Sequence, residues 1–186
     1  MKHFIRRGYD KIYNLIMFKL YSVKCGKNMV INGRIRISNN IEFGDNVTIN
    51  SGKHYNKIGG QTYTSMITNK NGRIVIGNNV GISNSSFFSM NSIIIGNNVM
   101  IGGSCKIYDT DFHSIVYDDR INGNINIKTS PLIIKDGAWI GGHCIILKGV
   151  TIGYHSVVAA GSVVTKSIPD NEVWGGNPAH FIKKIK

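Results

Sequence analysis

His113 stands at the end of the run Tyr108-Asp109-Thr110-Asp111-Phe112-His113, where a base that titrates near neutrality follows two carboxylates. An imidazole with an ordinary pKa of about 6.5 is suited to taking a proton from a hydroxyl at neutral pH. Either Asp109 or Asp111 could hold the second ring nitrogen and fix its tautomer; spacing does not choose between them. The competing reading is a solvent-exposed loop histidine with no chemistry. Cys25, Cys105 and Cys144 sit in no metal or redox spacing, and no set of histidines is placed to converge on zinc, so no metal is expected.

The elements that must position His113 are written in a period of six. Ile134, Ile140, Ile146, Ile152, Val158 and Val164 recur at every sixth residue, and a small residue or Val follows four later, at Ala138, Cys144, Val150, Ser156 and Ser162. Six fits neither the helical nor the strand period. It suits a chain that runs one short strand, turns a corner and repeats, with the aliphatic residue inward and the small residue inside the corner. No turn of that kind buries its own face, so neighbours must stack. Cys105 and Cys144 each lie four after an inward residue, which predicts buried, inert thiols. Asn79, Asn98, His143 and His155 lie three after one, which predicts outward corners.

The frame starts weakly at Ile31, Ile37, Phe43 and Ile49 and breaks over 50–75, where Gly59-Gly60 reads as a turn and a short strand is expected around Tyr63–Ile67. It returns at Ile76, Ile82 and Phe88, shifts by one, and runs through Ile95, Ile101 and Ile107 before a second break at 109–132. His113 falls six after Ile107, where the next inward aliphatic belongs. With three faces per coil, residues 76, 95, 134 and 152 share one face, 82, 101, 140 and 158 the second, and 88, 107, 146 and 164 the third. The 109–132 loop then leaves the corner after the third face, and the 50–75 break is read from the same corner.

Ahead of the repeats, Ile5, Tyr9, Ile12, Ile16 and Leu20 form a helical stripe, with Lys2, Arg6, Arg7, Lys11 and Lys19 among the other positions. The favoured reading is a cap over the open end of the stack, which repeat proteins need. The alternative is a helix lying on an anionic membrane. The formal net charge of +12 calls for an anionic partner: nucleic acid, acidic membrane or a phosphorylated small molecule. The basic residues are spread along the chain and match no nucleic-acid-binding pattern, so nucleic acid is set aside. With no apolar run long enough to span a bilayer and no secretory signal, a cytoplasmic protein is expected.

The stretches Pro131–Gly142, Gly149–Gly153, Ala160–Lys166 and Gly176–Ala179, taken with the six-residue period, resemble the hexapeptide-repeat acyltransferases, in particular the sugar O-acetyltransferases of the galactoside, maltose and surface-polysaccharide type. The likeness covers about residues 72–185. It implies an all-β fold, a left-handed parallel β-helix, here with an N-terminal helical cap at 1–28, an acyltransferase domain at 29–186 and a short C-terminal tail. It also implies an acetyl-CoA-dependent O-acetyltransferase with His113 as general base, working as a homotrimer on a sugar in a surface-polysaccharide precursor. By the same resemblance the backbone at Gly142 faces the thioester, where relatives often carry Ser. Trp139 walls the pantetheine arm or the acceptor, Ala160 bonds pantetheine through its backbone, and Thr165 and Lys166 meet the phosphates. Asn84 and Asp111 are the acceptor-side candidates. His180 stands where relatives carry Lys or Arg, a departure at the nucleotide end. Two rival readings keep the fold: an N-acetyltransferase of a nucleotide-linked amino sugar, and a non-catalytic scaffold in which His113 is incidental.

Overall fold

The computed structural model describes residues 2–56, 60–69 and 71–186, with side chains from residue 7 onward. The side chains of Lys2, Ile5 and Arg6, and the turn expected at Gly59-Gly60 in part, lie outside the described residues. Helix α1 (Lys2–Leu20) precedes six stacked coils. Coil one holds β1 (Lys24–Cys25), β2 (Val30–Asn32) and β3 (Arg36–Ile37); coil two holds β4 (Ile41–Phe43), β5 (Thr48–Asn50) and β6 (Ser65–Thr68). Coil three is β7 (Arg73–Ile76), β8 (Gly81–Ser83) and β9 (Ser86–Ser89); coil four is β10 (Ser92–Ile95), β11 (Met100–Ile101) and β12 (Lys106–Tyr108). After a loop with the short helix α2 (Tyr117–Ile121), coil five is β13 (Leu132–Ile134), β14 (Trp139–Ile140) and β15 (Ile145–Ile146). Coil six is β16 (Thr151–Ile152), β17 (Val157–Val158) and β18 (Val163–Val164), and β19 (Glu172–Gly176) and β20 (Ala179–Lys184) end the chain.

Through β18 every third strand pairs in parallel, and β19 and β20 extend the second sheet, giving β1-β4-β7-β10-β13-β16, β2-β5-β8-β11-β14-β17-β19-β20 and β3-β6-β9-β12-β15-β18. The period of six is therefore a three-walled prism. Inward columns such as Phe43–Ile76–Ile95–Ile134–Ile152 and Ile49–Ile82–Ile101–Ile140–Val158 run up its centre. These side chains are almost wholly removed from water. Burying each contributes roughly 1.5–3 kcal/mol relative to exposure.

The corners repeat as well as the walls. Asn28, Asn46, Asn79, Asn98 and His155 all take the left-handed backbone conformation, with φ between 54° and 57°. Short polar side chains tolerate that conformation better than bulky ones. The first four also stack: each side-chain amide donates to the next side-chain oxygen, at 3.1 Å from Asn28 to Asn46, 2.9 Å from Asn46 to Asn79 and 3.1 Å from Asn79 to Asn98. Beside this ladder, carboxylates receive backbone amides from the adjoining coil. The N–H and side chain of Asn97 hold the Asp136 carboxyl below the ordinary carboxylate range, and the N–H of Tyr154 does the same at Asp170.

Three expectations change. Ile107 pairs with Phe87, which is buried, so Phe88 points outward; the corner at Asn84-Ser85 is one residue tighter than its counterpart at Gly103–Cys105. The first loop, 51–64, leaves after β5, the second-sheet strand, and returns at β6, so the two loops leave different corners. Residues 172–184, read as part of a short C-terminal tail, form an antiparallel hairpin joined to β17.

Helix α1 is rotated from the expected orientation. Among its described side chains the buried ones are Asp10 and Asn14, while Tyr9, Ile12, Ile16 and Leu20 of the apolar stripe, with Leu15, face solvent. The Asn14 amide donates to the Gly33 carbonyl at 2.8 Å and its oxygen accepts the Ile35 N–H at 3.1 Å, so one side chain satisfies two edge groups of the first coil. Asp10 pairs with Arg34 at 3.0 Å, and the guanidinium lies over the rings of Tyr9, Tyr13 and Tyr63. Met17 and Phe18 complete the contact, Phe18 stacking on Phe43 at 6.0 Å. Periodicity alone points an apolar stripe inward, but here a polar clasp holds the helix.

Candidate active site

The 109–131 loop leaves the corner after the third sheet, as expected, and its neck is closed by backbone pairing. Thr110 bridges Thr129, the Asp111 N–H donates to Lys128 O at 3.1 Å, and the Ser130 N–H donates to Asp109 O at 3.0 Å. Asp109 is fully buried. Its carboxylate accepts from the Ser89 hydroxyl at 2.6 Å and from the N–H groups of Met90 and Asn91 at 2.8 and 2.9 Å. It therefore anchors the loop's start and is not the partner of His113. Asp111 is also engaged, by an ion pair with Lys148 at 2.9 Å. Lys148 belongs to the same corner one coil further on, a pairing no local spacing announces.

Phe112 has φ of 62° and packs its ring on Phe88 and Tyr108, with centroids 5.0 and 5.2 Å away. That turn carries His113 outward. Its N–H donates to Asp111 O at 2.7 Å, while its imidazole is exposed. Beside it, a groove of about 320 Å³ runs over the outer surface of the third sheet, lined by Arg36, Ile67, Phe88, Tyr108 and Phe112 among others. Burial in this wall raises the Tyr108 pKa above its ordinary value. The outward turn of Phe88, hidden by the misplaced frame, gives the groove its aromatic lining.

A second group lies at the corner after the second sheet. A Cβ on Gly102 would stand 2.5 Å from the Gly142 nitrogen, and one on Gly141 would stand 2.6 Å from the Ala160 nitrogen, so the coils approach through bare backbone. Gly142 accepts from the Gly161 N–H at 2.9 Å, and Ala160 is exposed. Inside this corner the small residues are hydrogen-bonded packing: the Cys105 thiol donates to Gly141 O at 3.1 Å, Cys144 to Ala159 O at 3.1 Å, and the Ser162 hydroxyl to Ala159 O at 2.6 Å. The Cys144 thiol beside it, together with burial, pushes the Cys105 pKa up, which keeps that sulfur protonated. Trp139 stands on the outer surface of the second sheet, 54% exposed, between Met100 and Val157. Thr165 and Lys166 are exposed just after β18, at the same corner as the His113 loop.

The sequence-derived residues thus divide between two edges of the prism. His113, Asp111, Thr165 and Lys166 belong to one; Gly142 and Ala160, with Trp139 on the adjoining wall, belong to the other. The third sheet separates them. Asn84 lies on the second edge as well, two coils before Gly142, in the corner that follows β8. It is 2% exposed, and its oxygen accepts the Gly52 N–H at 2.6 Å, so it ties the 51–64 loop to the third coil.

The bacterial transferase hexapeptide family (six repeats) matches residues 131–166. Galactoside O-acetyltransferase of Escherichia coli is 36% identical over 116 residues, covering 59% of this chain and 56% of that one. The chain spans about half the length of the curated relatives it matches. A hexapeptide-repeat acetyltransferase of Vibrio cholerae, solved with acetyl coenzyme A, is 28% identical with a TM-score of 0.58, covering 92% of this chain and 75% of that one. An N-acyltransferase of Bacillus cereus solved with dTDP and 3-hydroxybutyryl-CoA is 22% identical with a TM-score of 0.73, covering 94% of this chain and 89% of that one, a likeness of fold.

Proposed function

We propose that this chain, a member of the hexapeptide-repeat acyltransferase superfamily, is an acetyl-CoA-dependent O-acetyltransferase of a sugar hydroxyl, with His113 as general base. The observation that carries the reading is the exposed imidazole on the loop that leaves the fourth coil, in a chain 36% identical over 116 residues to a galactoside O-acetyltransferase. The superfamily also supplies our reading of the coil as left-handed and of the assembly as a homotrimer. The acceptor we assign is a sugar of a surface-polysaccharide precursor.

The residues present suit the cosubstrate. Gly142 has no side chain and Ala160 a small, exposed one, so the backbone of this edge is open to a narrow chain such as pantetheine; Trp139 offers it an apolar wall, and Lys166 offers an exposed cation to phosphate. Acetyl-CoA supplies the acyl group and departs as the thiol. His113 accepts the hydroxyl proton as the sugar oxygen attacks the thioester carbonyl, then returns a proton to the leaving sulfur. Backbone N–H near Gly142 stabilises the oxyanion as it forms. The division of these groups between two edges of one prism supports a site completed by a neighbouring copy. With Asp109 and Asp111 both engaged elsewhere, we assign no carboxylate of the loop to orienting His113.

The test is turnover of acetyl-CoA with acceptors carrying a free hydroxyl or a free amine. His113→Ala should lower kcat by roughly 10²–10⁴ while coenzyme A binding is retained. Retention of more than about a third of the activity would remove His113 from the chemistry. Transfer to amines alone would replace the O-acetyl reading with the N-acyl one, and failure to bind coenzyme A would leave the scaffold.

A further inference from the structure

Helix α1 presents the wrong side to the protein for an ordinary amphipathic helix. Tyr9, Ile12, Leu15, Ile16 and Leu20 are between 59% and 66% exposed, while Asp10 and Asn14 are buried. The orientation is fixed by the clasp already described: Asn14 on the Gly33 carbonyl and Ile35 N–H, Asp10 on Arg34, and Phe18 on Phe43. A continuous apolar strip on a soluble surface marks a place where something docks.

The charge of the helix selects the occupant. Its sequence carries Lys2, Arg6, Arg7, Lys11 and Lys19 against a single acid, Asp10. That acid is withdrawn into its pair with Arg34, so it does not offset the basic residues. Two copies meeting face to face through α1 would set these same basic residues against one another. Anionic headgroups meet it with attraction. Among the described residues no helix is long and apolar enough to cross a membrane, so contact means lying on the surface with the apolar strip at the level of the acyl chains and the basic side chains among the headgroups.

We propose that the outer face of α1, centred on Ile12 and Ile16, is a docking surface for an anionic lipid bilayer. The proposal does not depend on the acyltransferase reading.

Vesicle co-sedimentation tests it with the full chain. Wild type should pellet with phosphatidylcholine vesicles containing about one-third phosphatidylglycerol and stay in solution with phosphatidylcholine alone. The double variant Ile12→Asp, Ile16→Asp should lose binding at least about tenfold, because apolar contact is removed where only solvent now touches the helix. The pair Lys11→Glu, Lys19→Glu should weaken it to a similar degree, and raising salt from about 0.1 to 0.5 M should do the same to wild type by screening. Circular dichroism melts of both variants should match wild type, since neither pair touches the clasp. Wild type that stays in solution with anionic vesicles, or an aspartate variant that pellets as well as wild type, would overturn the proposal. So would an aspartate variant that shifts to a smaller species in light scattering, which would assign the face to another copy of the chain.

Discussion

Lys166 is where residue-level reasoning about the cosubstrate is most exposed to test. It is a solvent-facing lysine just beyond β18, on the same edge as the His113 loop and across the third sheet from Gly142 and Ala160. A partly exposed lysine–phosphate pair contributes on the order of 1 kcal/mol. Lys166→Ala should raise KM for acetyl-CoA about five- to tenfold and leave kcat nearly unchanged, as expected when binding common to ground and transition states is lost. Steady-state kinetics at two salt concentrations check this, since high salt should shrink the difference between variant and wild type. A fall in kcat at constant KM would move Lys166 into the chemistry. The neighbouring residues show how context assigns roles. Asp109 and Asp111 are two positions apart, yet one is sealed in a turn by three donors and the other faces a lysine from the next coil.

At the scale of elements, the corners are as regular as the strands, and they make a separable prediction. Asn79 has φ of 56°, receives from Asn46 and donates to Asn98. Asn79→Ala loses both ladder bonds and keeps an unfavourable backbone; Asn79→Gly loses the bonds but relieves the backbone. Denaturant unfolding should therefore find the Gly variant more stable than the Ala variant by about 1 kcal/mol, with both below wild type. Equal stabilities would mean the left-handed corner carries no strain. Strands, inward columns, outward corners and the buried thiols were legible because each repeats with the period, and a period survives local error. What was not legible lacks a repeat. The Phe87/Phe88 slip comes from one tighter corner, and the loop at 51–64 leaves a corner that its length does not mark. The orientation of α1 turns on Asn14 meeting Gly33 and Ile35, contacts about twenty positions away. The pairing of Asp111 with Lys148 was hidden for the same reason.

For the whole molecule, the division of the site residues between two edges sets an expectation about mixed assemblies. Take copies carrying His113→Ala and copies carrying Gly142→Val, each inactive alone. If every site draws one edge from each of two neighbours, random mixing at equal amounts restores about a quarter of wild-type activity. Mixed assemblies with no activity would place both edges of a site on one chain. The placement of α1 has a consequence of another kind, a matter of height. The helix lies against edge groups of the first coil, with its apolar strip turned away from the stack. The His113 loop leaves the fourth coil. Three strand spacings of about 4.8 Å make roughly 14 Å, and the helix itself adds about 10 Å. A prism standing on a bilayer by α1 would carry His113 some 25 Å above the acyl chains, by roughly that sum. From there it would reach the outer sugars of a long glycan anchored in lipid, and miss a single sugar at the surface.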